Sequence, residues 1–240
     1  MPLNIDLHTH SFFSGDGVSS PEEMIASARR KGLQGFALTD HNTCKGIDYL
    51  LKKGLIRPDG LPVDGFLIIP GVEVSTDDGH LLCLGVTLPT NMKGEPAAAV
   101  CQAIHERGGL AIPPHPYDYF RAGIRESVIK TLQIDAMEVF NAATTFQSCN
   151  TKAYKYAEAH GLPMTAGSDA HHENSIGTAY TILETEELTL ANVLRQILQP
   201  GNRLVQRPLS PGDKLRKTWN NWMRLRWRKR MKMKREWRDK

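Results

Sequence analysis

The chain lacks the features that mark membrane-spanning and disulfide-rich proteins. No part of its 240 residues approaches the ~18 consecutive apolar positions of a membrane-spanning helix. It has only 4 cysteines, widely spaced and without a CxxC pair, and two of them, Cys83 and Cys101, lie in apolar patterns typical of a core. The N-terminal MPLNIDLHTH enters an apolar run at once, which leaves no room for a signal peptide. We therefore expect a cytoplasmic protein without disulfides.

Tryptophan is absent from most of the chain and is confined to a basic C-terminal segment. Residues 213–240 carry all 4 tryptophans and 13 Lys or Arg against 3 Asp or Glu, whereas the preceding residues have an excess of acidic side chains. The RPLSPGD sequence from Arg207, with two prolines and a glycine, is typical of a boundary. The composition thus predicts an acidic body at 1–208 and a basic, helical extension at 209–240.

Apolar runs alternate with helical patterns along the body. The predicted strands are 3–7, 34–39, 66–73, 80–86, 110–113, 134–140, 162–167 and 179–183, and the predicted helices are 21–31, 96–107, 147–160 and 187–198. The first helix has clear start signals in Ser20, Pro21 and Glu23, and Gly32 ends it. This alternation predicts an α/β fold of βα units, with a mostly parallel sheet and helices outside.

Histidines and carboxylates lie next to the apolar runs. His8 and His10 follow the first run in IDLHTH, and alternation along a strand directs both side chains to one face. The remaining candidates occur in FSGDG, FALTDHNT, PGVEVS, HLLCLG, AIPPHP and TAGSDAH, and are Asp16, His41, Glu73, His80, His115, Asp169 and His171. Any one histidine could be an ordinary hydrogen-bonded residue. Because strand ends converge at the mouth of a barrel, the set as a whole predicts a metal site with several ions.

These motifs, in this order, resemble the PHP (polymerase and histidinol phosphatase) family. HTH, TDHNT, GVEVS with a following strand-initial histidine, PHP and GSDAH span about residues 3–207 and are most similar to the small, stand-alone predicted phosphoesterases of that family. The resemblance implies a distorted (β/α)7 barrel that holds three metal ions and hydrolyses phosphate esters through a metal-bound hydroxide. It also implies that Glu73 and Asp169 serve both as ligands and in catalysis.

The resemblance further implies how nine residues share three ions. His8, His10 and Asp169 would hold the first ion. Asp16 and His41 would hold the second, which Glu73 would bridge to the first. The remaining three residues, His80, His115 and His171, would hold the third. Six imidazoles suit zinc, manganese or iron better than magnesium or calcium.

Two residues outside the ligand set are candidates for catalytic roles. Arg121, in a loop after a predicted strand, could bind phosphate oxygens with its guanidinium or be a surface arginine. His172 follows a ligand and could act as general acid, or it could instead support the site from behind.

Three functional interpretations follow from these residues. The first is a metal-dependent phosphoesterase acting on a small phosphorylated metabolite, a nucleotide or an oligonucleotide end. The second is an amidohydrolase-type metal hydrolase, which also begins with HxH. The third is a non-catalytic barrel that its extension attaches to membrane or nucleic acid. The complete ligand set and the PHP and GSDAH motifs favour the first.

The extension has its own predicted partner. Trp219, Met223, Trp227 and Met231 recur every fourth residue, so a helix would carry one aromatic and apolar stripe among basic residues. Such a helix suits the inner face of an anionic membrane, where indole rings settle among lipid headgroups. Nucleic acid is the rival partner, since indoles stack on bases and cations neutralise phosphates. A disordered extension, or a helix packed on its own barrel, is the remaining alternative.

Overall fold

The computed structural model describes residues 1–89, 92–210 and 212. Its strands are β1 (Pro2–Thr9), β2 (Gly35–Leu38), β3 (Leu67–Thr76), β4 (Gly79–Leu84), β5 (Leu110–Ile112), β6 (Met137–Asn141), β7 (Met164–Gly167), β8 (Tyr180–Glu184) and β9 (Arg203–Val205). Its helices are α1 (Pro21–Arg30), α2 (Lys45–Lys52), α3 (Ala97–His105), α4 (Glu126–Ile129), α5 (Gln147–Ala159) and α6 (Leu190–Ile197), and a short 3-10 helix covers Tyr119–Arg121. None of the helices in these residues is long and apolar enough to cross a membrane.

The strands form a curled sheet that a separate strand pair helps to close. Seven strands pair in the order β5-β4-β3-β2-β1-β8-β9, and β6 pairs with β7. On one side, Glu138 N donates to Pro113 O, at 3.3 Å; on the other, Asp169 N donates to His8 O, at 2.9 Å. Strands β1–β7 thus surround one axis, while β8 and β9 continue the sheet beyond β1, and Thr181 of β8 accepts from Ala166 N of β7. The distorted α/β barrel predicted from the sequence is confirmed.

The prediction of a mostly parallel sheet is wrong. The β1–β2, β2–β3 and β6–β7 pairs are parallel, but β4 runs antiparallel to both β3 and β5, and β8 runs antiparallel to β1 and β9. Only Asp77 and Asp78 separate β3 from β4, and so short a link can join only antiparallel strands. His80 therefore lies near the start of β4, yet at the same end of the barrel as the end of β3.

The helices cover the outside of the sheet. In one part of the core, Met24 of α1 and Leu50 of α2 pack in a cluster with Phe36 of β2, and all three side chains are fully buried. Helix α1 begins as predicted, because the Ser20 side chain accepts from Glu23 N and the Glu23 carboxylate accepts from Ser20 N. The predicted helices are all present, whereas α2, α4 and β9 are additional, at eight, four and three residues.

The predicted extension cannot be followed, since residues 213–240 lie outside the described residues. The described chain near the predicted boundary still packs on the body. Leu209 is buried, and its N–H donates to Ala142 O, at 2.9 Å, beyond the end of β6. The boundary at residue 208 and the helical form of the extension stay predictions.

Candidate metal centre

Glu73, near the middle of β3, is the point on which most of the candidate ligands converge. Its Oε1 lies 2.8 Å from His80 Nδ1 and 3.1 Å from His115 Nε2. Its Oε2 lies 3.3 Å from His8 Nε2, 3.1 Å from His10 Nε2 and 3.2 Å from His41 Nδ1. The two carboxylate oxygens thus face different histidines, which is the arrangement that a carboxylate shared between two ions requires.

A second group of ligands lies around Asp16, in the loop after β1. Its Oδ2 is 3.3 Å from His41 Nε2 and 3.1 Å from His171 Nε2. These three residues, with His10, place one possible ligand atom each within 4.8 Å of one another. Asp16 and His41 are partly exposed, so this group lies on the more open side of the centre.

A third group joins the ends of β1 and β7. Asp169 Oδ1 lies 3.6 Å from His10 Nε2 and 4.0 Å from His8 Nε2, and all three residues are buried. Asp169 also reaches the Asp16 group, because the same oxygen is 3.3 Å from His171 Nδ1. All nine predicted ligands are therefore assembled in one connected centre.

The grouping differs from the one that the family resemblance implies. His171 lies with Asp16 and His41 rather than with His80 and His115. His80 and His115 instead both approach Glu73 Oε1. Sequence order alone did not separate these possibilities, because His171 and His115 both follow strands that end at this mouth.

Glu138, in β6, is a residue that the sequence analysis missed. It is buried, its Oε1 lies 3.0 Å from His8 Nδ1, and its Oε2 accepts from His115 N, at 2.7 Å, and from Asn141 Nδ2, at 2.9 Å. The contact between His8 Nδ1 and Glu138 orients the ring so that Nε2 faces the centre, and in the neutral imidazole it leaves Nε2 unprotonated. Burial lowers the pKa of His8, but Glu138, Asp169 and Glu73 outweigh it and raise that pKa well above its usual range. The signal was a single acid inside the apolar MEVFN strand, where a charged residue requires a partner.

Two candidate ligands have backbone conformations that are rare for residues other than glycine. His115 has φ +32° and Asp169 has φ +51°. His115 lies three residues after β5 and Asp169 two residues after β7, and both side chains reach the centre at that end of the barrel. Such strain persists only where surrounding contacts hold it and is concentrated at functional sites.

Burial and mutual charge strongly change the pKa values in the metal-free protein. Burial lowers the pKa of His41, but the nearby carboxylates of Glu73 and Asp16 outweigh burial and raise this pKa to about 9. Burial, with the neighbouring His171 and His41, lowers the pKa of His10 well below its usual range. Burial raises the pKa of Glu73, but His41, His8 and His80 outweigh it and hold that pKa well below its usual range. Glu73 is accordingly ionised and available as a ligand.

Arg121 lies at the rim of the centre, at the end of the short 3-10 helix. Its Nη2 forms a close ion pair with Asp169 Oδ2, and its Nη1 donates to Ala143 O, at 3.3 Å. The guanidinium is thus fixed beside a candidate ligand and is not a free surface arginine. This position is compatible with the predicted contact to a phosphate oxygen.

His172 is turned towards its own loop. Its Nδ1 accepts from Asn174 N, at 3.0 Å, and its Nε2 lies 3.3 Å from Ser175 Oγ. The residue is buried, and it belongs to none of the ligand groups among the described residues. These contacts give His172 a role in holding the loop after β7, and they offer no support for the predicted general-acid role.

The residues present fit a set of divalent metal ions. His8 Nε2 and His10 Nε2 lie 3.0 Å apart while His8 Nδ1 is held by Glu138, so the two Nε2 atoms converge as two ligands of one ion would. Buried Nδ1 atoms of His10 and His115 have no hydrogen-bond partner among the described residues. Six imidazoles and three carboxylates, most of them buried, form a donor set that transition metals prefer.

Comparison with known proteins places this chain in a family. A family model described as PHP-associated matches residues 147–199. An uncharacterized protein of Methanocaldococcus jannaschii is 33% identical over 152 residues, which are 58% of this chain and 82% of that protein. A probable phosphatase of Caldicellulosiruptor saccharolyticus is 26% identical over 201 residues, 73% of this chain and 83% of that protein.

Solved structures show the same fold. A two-domain protein of Bacteroides vulgatus, which contains a predicted PHP-like metal-dependent phosphoesterase, aligns with a TM-score of 0.70 at 18% identity, over 91% of this chain and 69% of that one. The chain belongs to the PHP-domain family. Endonuclease Q, in complex with a duplex that has an abasic lesion, aligns with a TM-score of 0.66 at 21% identity, over 85% of this chain and 58% of that one.

Membership of the PHP family decides the enzyme class. This PHP chain is a metal-dependent phosphoester hydrolase, in agreement with the sequence prediction and with the ligand groups around Glu73. Four finer points stay predictions: the role of each site residue, the identity of the metals, the cytoplasmic location and the membrane contact of the extension.

Proposed function

We propose that this PHP protein hydrolyses the phosphate ester of a small phosphorylated metabolite, a nucleotide or an oligonucleotide end. The supporting observation is the arrangement around Glu73, whose two oxygens face two different sets of histidines at distances of 2.8–3.3 Å. A carboxylate in that position can hold two ions side by side. Two adjacent ions suit displacement at phosphorus, where both the attacking and the leaving oxygen carry charge.

The protein groups have separate tasks in this proposal. When bound, divalent ions supply Lewis acidity, which activates water and neutralises charge on phosphate oxygens. Glu73 fixes the relative position of the histidines on its two sides. Arg121 binds a non-bridging oxygen of the substrate, for which a planar guanidinium with paired donors is suited. Asn141, whose Nδ2 reaches both Glu138 and Asp169, holds these two carboxylates in register.

The preference for zinc, manganese or iron rests on the same donor set. Imidazole ligands outnumber carboxylates, whereas magnesium and calcium prefer oxygen ligands alone. Elemental analysis of protein purified without added metal, together with reconstitution of the chelator-stripped protein, decides between these ions. Activity restored by magnesium alone would contradict this part of the proposal.

Turnover of simple esters tests the proposal directly. Bis(p-nitrophenyl) phosphate and p-nitrophenyl phosphate report diesterase and monoesterase activity, and a dipeptide and a cyclic amide serve as amidohydrolase substrates. We expect manganese-stimulated release of p-nitrophenol and its loss with chelator or with Glu73→Gln. Glu158→Gln, an exposed acid on α5, is the matched control and should retain activity. Hydrolysis of the C–N substrates with no phosphate ester turnover would refute the proposal.

A further inference from the structure

Three exposed aromatic side chains stand beside the metal centre without a role in it. Tyr119, Phe120 and Phe146 are 64%, 78% and 56% exposed, although aromatic side chains of this size are normally covered. The Phe120 and Phe146 rings are 6.0 Å apart in an edge-to-face arrangement. We call Tyr119, Phe120 and Phe146 the aromatic platform.

The platform adjoins the centre through Arg121. Phe120 precedes Arg121 in the 3-10 helix, and the Arg121 guanidinium reaches Asp169 Oδ2. On the other side, Arg121 Nη1 donates to Ala143 O, three residues before Phe146. Both aromatic loops, after β5 and after β6, thus meet at the residue that borders the candidate phosphate position.

A buried carboxylate fixes the two loops of the platform to each other. Asp118, which is almost fully buried, accepts from Phe120 N through Oδ1, at 3.2 Å, and from Thr145 N through Oδ2, at 2.6 Å. The Thr144 hydroxyl donates to the same oxygen, at 3.0 Å. Anchoring of this kind keeps the rings in place, so a ligand loses little free energy in ordering them.

The backbone of the first loop is also held in an unusual path. Tyr117 has φ +68° and Ala122 has φ +53°, on either side of the platform residues Tyr119 and Phe120. Neither residue is a glycine, so this conformation is strained and persists only because contacts such as those of Asp118 maintain it. Packing of the core does not explain why this strained loop leaves the rings of Tyr119 and Phe120 exposed to solvent.

One cation contacts the platform, and a second contacts the neighbouring Tyr117. The Arg125 guanidinium lies over the Tyr119 ring, 4.3 Å from its centroid, and the Lys152 ammonium lies over the Tyr117 ring, at 4.1 Å. Exposed aromatic rings with a cation nearby, next to a phosphate position, match the chemistry of a nucleotide, which has a flat base attached to an anionic group. A sugar phosphate without a base would leave the rings uncovered.

We propose that the aromatic platform stacks on the nucleobase of the substrate while Arg121 and the metal centre hold its phosphate. This inference rests on the proposed function and narrows its substrate class to base-bearing phosphates, either free nucleotides or the end of a single strand. Stacking does not require a specific base, because every base has a π face. The platform therefore predicts that phosphates carrying any nucleobase bind more tightly than phosphates without a base.

Paired substrates that differ only in the base test the platform. In the metal-loaded full-length protein, KM for adenosine monophosphate should be about tenfold or more below KM for ribose 5-phosphate. Phe120→Ala and Phe146→Ala should bring the two KM values together, whereas Phe120→Tyr should keep them apart. Tyr154→Ala removes another exposed ring, on α5 and 41% exposed, and should leave the ratio unchanged. A wild-type ratio near one, with both substrates hydrolysed, overturns the platform and leaves the phosphoesterase intact.

A binding measurement separates the two hypotheses further. If neither substrate is hydrolysed, the proposed function fails for them, and calorimetric binding of the same two compounds decides the platform. Tighter binding of the nucleotide, lost in Phe120→Ala, supports the platform; equal affinity overturns it. A 5′-phosphorylated pentanucleotide and its analogue with an abasic terminal position identify the source of the base. A lower KM for the pentanucleotide than for the mononucleotide indicates a strand end, and the reverse indicates free nucleotides.

Discussion

Asp16 and His171, from opposite ends of the described chain, approach each other to 3.1 Å between Oδ2 and Nε2. Asp16 lies in the loop after the first strand, and His171 lies in the loop after β7. Their contact crosses the seam where β7 meets β1 and forms one side of the metal centre. Burial raises the pKa of Asp16, but His171 and His41 lower it far below its usual range, so Asp16 is ionised and ready to bind a cation.

Glu73→Gln should reduce activity more than Asp16→Asn. Glu73 approaches five histidines and uses both of its oxygens, whereas Asp16 Oδ2 approaches the two histidines His41 and His171. We expect Glu73→Gln to lower kcat/KM by at least about 100-fold and to lose metal, because deletion of a ligand also weakens metal binding. Metal content and kcat/KM measured on both variants check the ranking. Equal losses, or a larger loss for Asp16→Asn, would show that Glu73 is not shared between ions.

Arg121→Ala should raise KM for phosphate substrates by about tenfold or more and leave metal content unchanged. The guanidinium pairs with Asp169 in the metal-free protein, but it is a contact of that ligand and not a ligand itself. Arg195→Ala, an exposed arginine on α6, is the control and should change nothing. Unchanged kinetics in Arg121→Ala would make its contact with Asp169 purely structural.

Metal binding at pH 7.5 should release protons. The pKa of His41 is about 9 in the metal-free protein, so its imidazole is protonated at that pH and must lose the proton before it can bind an ion. Affinity should therefore fall as the pH falls, and the release from His41 should vanish above about pH 9. Titration calorimetry in buffers of different ionisation enthalpy measures the protons released. A count that is independent of pH between 7 and 9.5 would contradict the high pKa.

Glu138→Gln should weaken metal binding by about 10- to 100-fold although Glu138 faces the back of His8. The amide oxygen can still accept on one side, but the amide nitrogen only donates, so either the contact with His8 or those with His115 and Asn141 are lost. Competition with a fluorescent chelator gives the metal affinity, and Glu158→Gln serves again as control. An unchanged metal affinity would show that Glu138 stabilises the barrel without supporting metal binding.

Deletion of residues 213–240 should leave hydrolysis of small esters intact, because the nine candidate ligands all lie in the described body. From the sequence, we expect the deletion to abolish sedimentation with anionic liposomes. The measurement is co-sedimentation at low salt, in parallel with a gel shift of single-stranded RNA and DNA. A full-length protein that ignores liposomes but shifts nucleic acid would refute the membrane interpretation.

The metal centre was predictable because burying histidines and acids beside apolar strands costs free energy unless they are paired or bind a metal. Histidines and acids rarely follow apolar strands by chance, and the positions of His8, His41 and Asp169 at strand ends were enough to bring them together. The direction of β4 was not predictable from hydrophobic periodicity, which is the same for both strand directions. The short link of Asp77 and Asp78 could have revealed the hairpin.

The sequence also did not predict which residues share an ion or support one. The position of His171 beside Asp16 depends on how β7 packs against β1, and that contact joins residues distant in sequence. Glu138 was hidden inside an apolar run, and its partners come from β1, from the loop after β5 and from the end of β6 itself. Contacts that cross the barrel leave no periodic trace in the chain.

Glu138 has a consequence for how the barrel can move. The Glu138 side chain crosses from β6 to the loop after β5 through His115 N, and to β1 through His8 Nδ1. Beside it, Asp169 N donates to His8 O where the chain after β7 meets β1. A methyl group at Gly167, on β7, would lie 2.5 Å from His8 Cβ and 2.7 Å from Glu138 Oε1, so no larger residue fits between these strands. Any opening between β5 and β6 or between β7 and β1 would separate His8 from His115 and spread the donors apart. We therefore expect the protein to lose its metal ions at the temperature at which these strands begin to separate, even where the rest of the barrel stays folded.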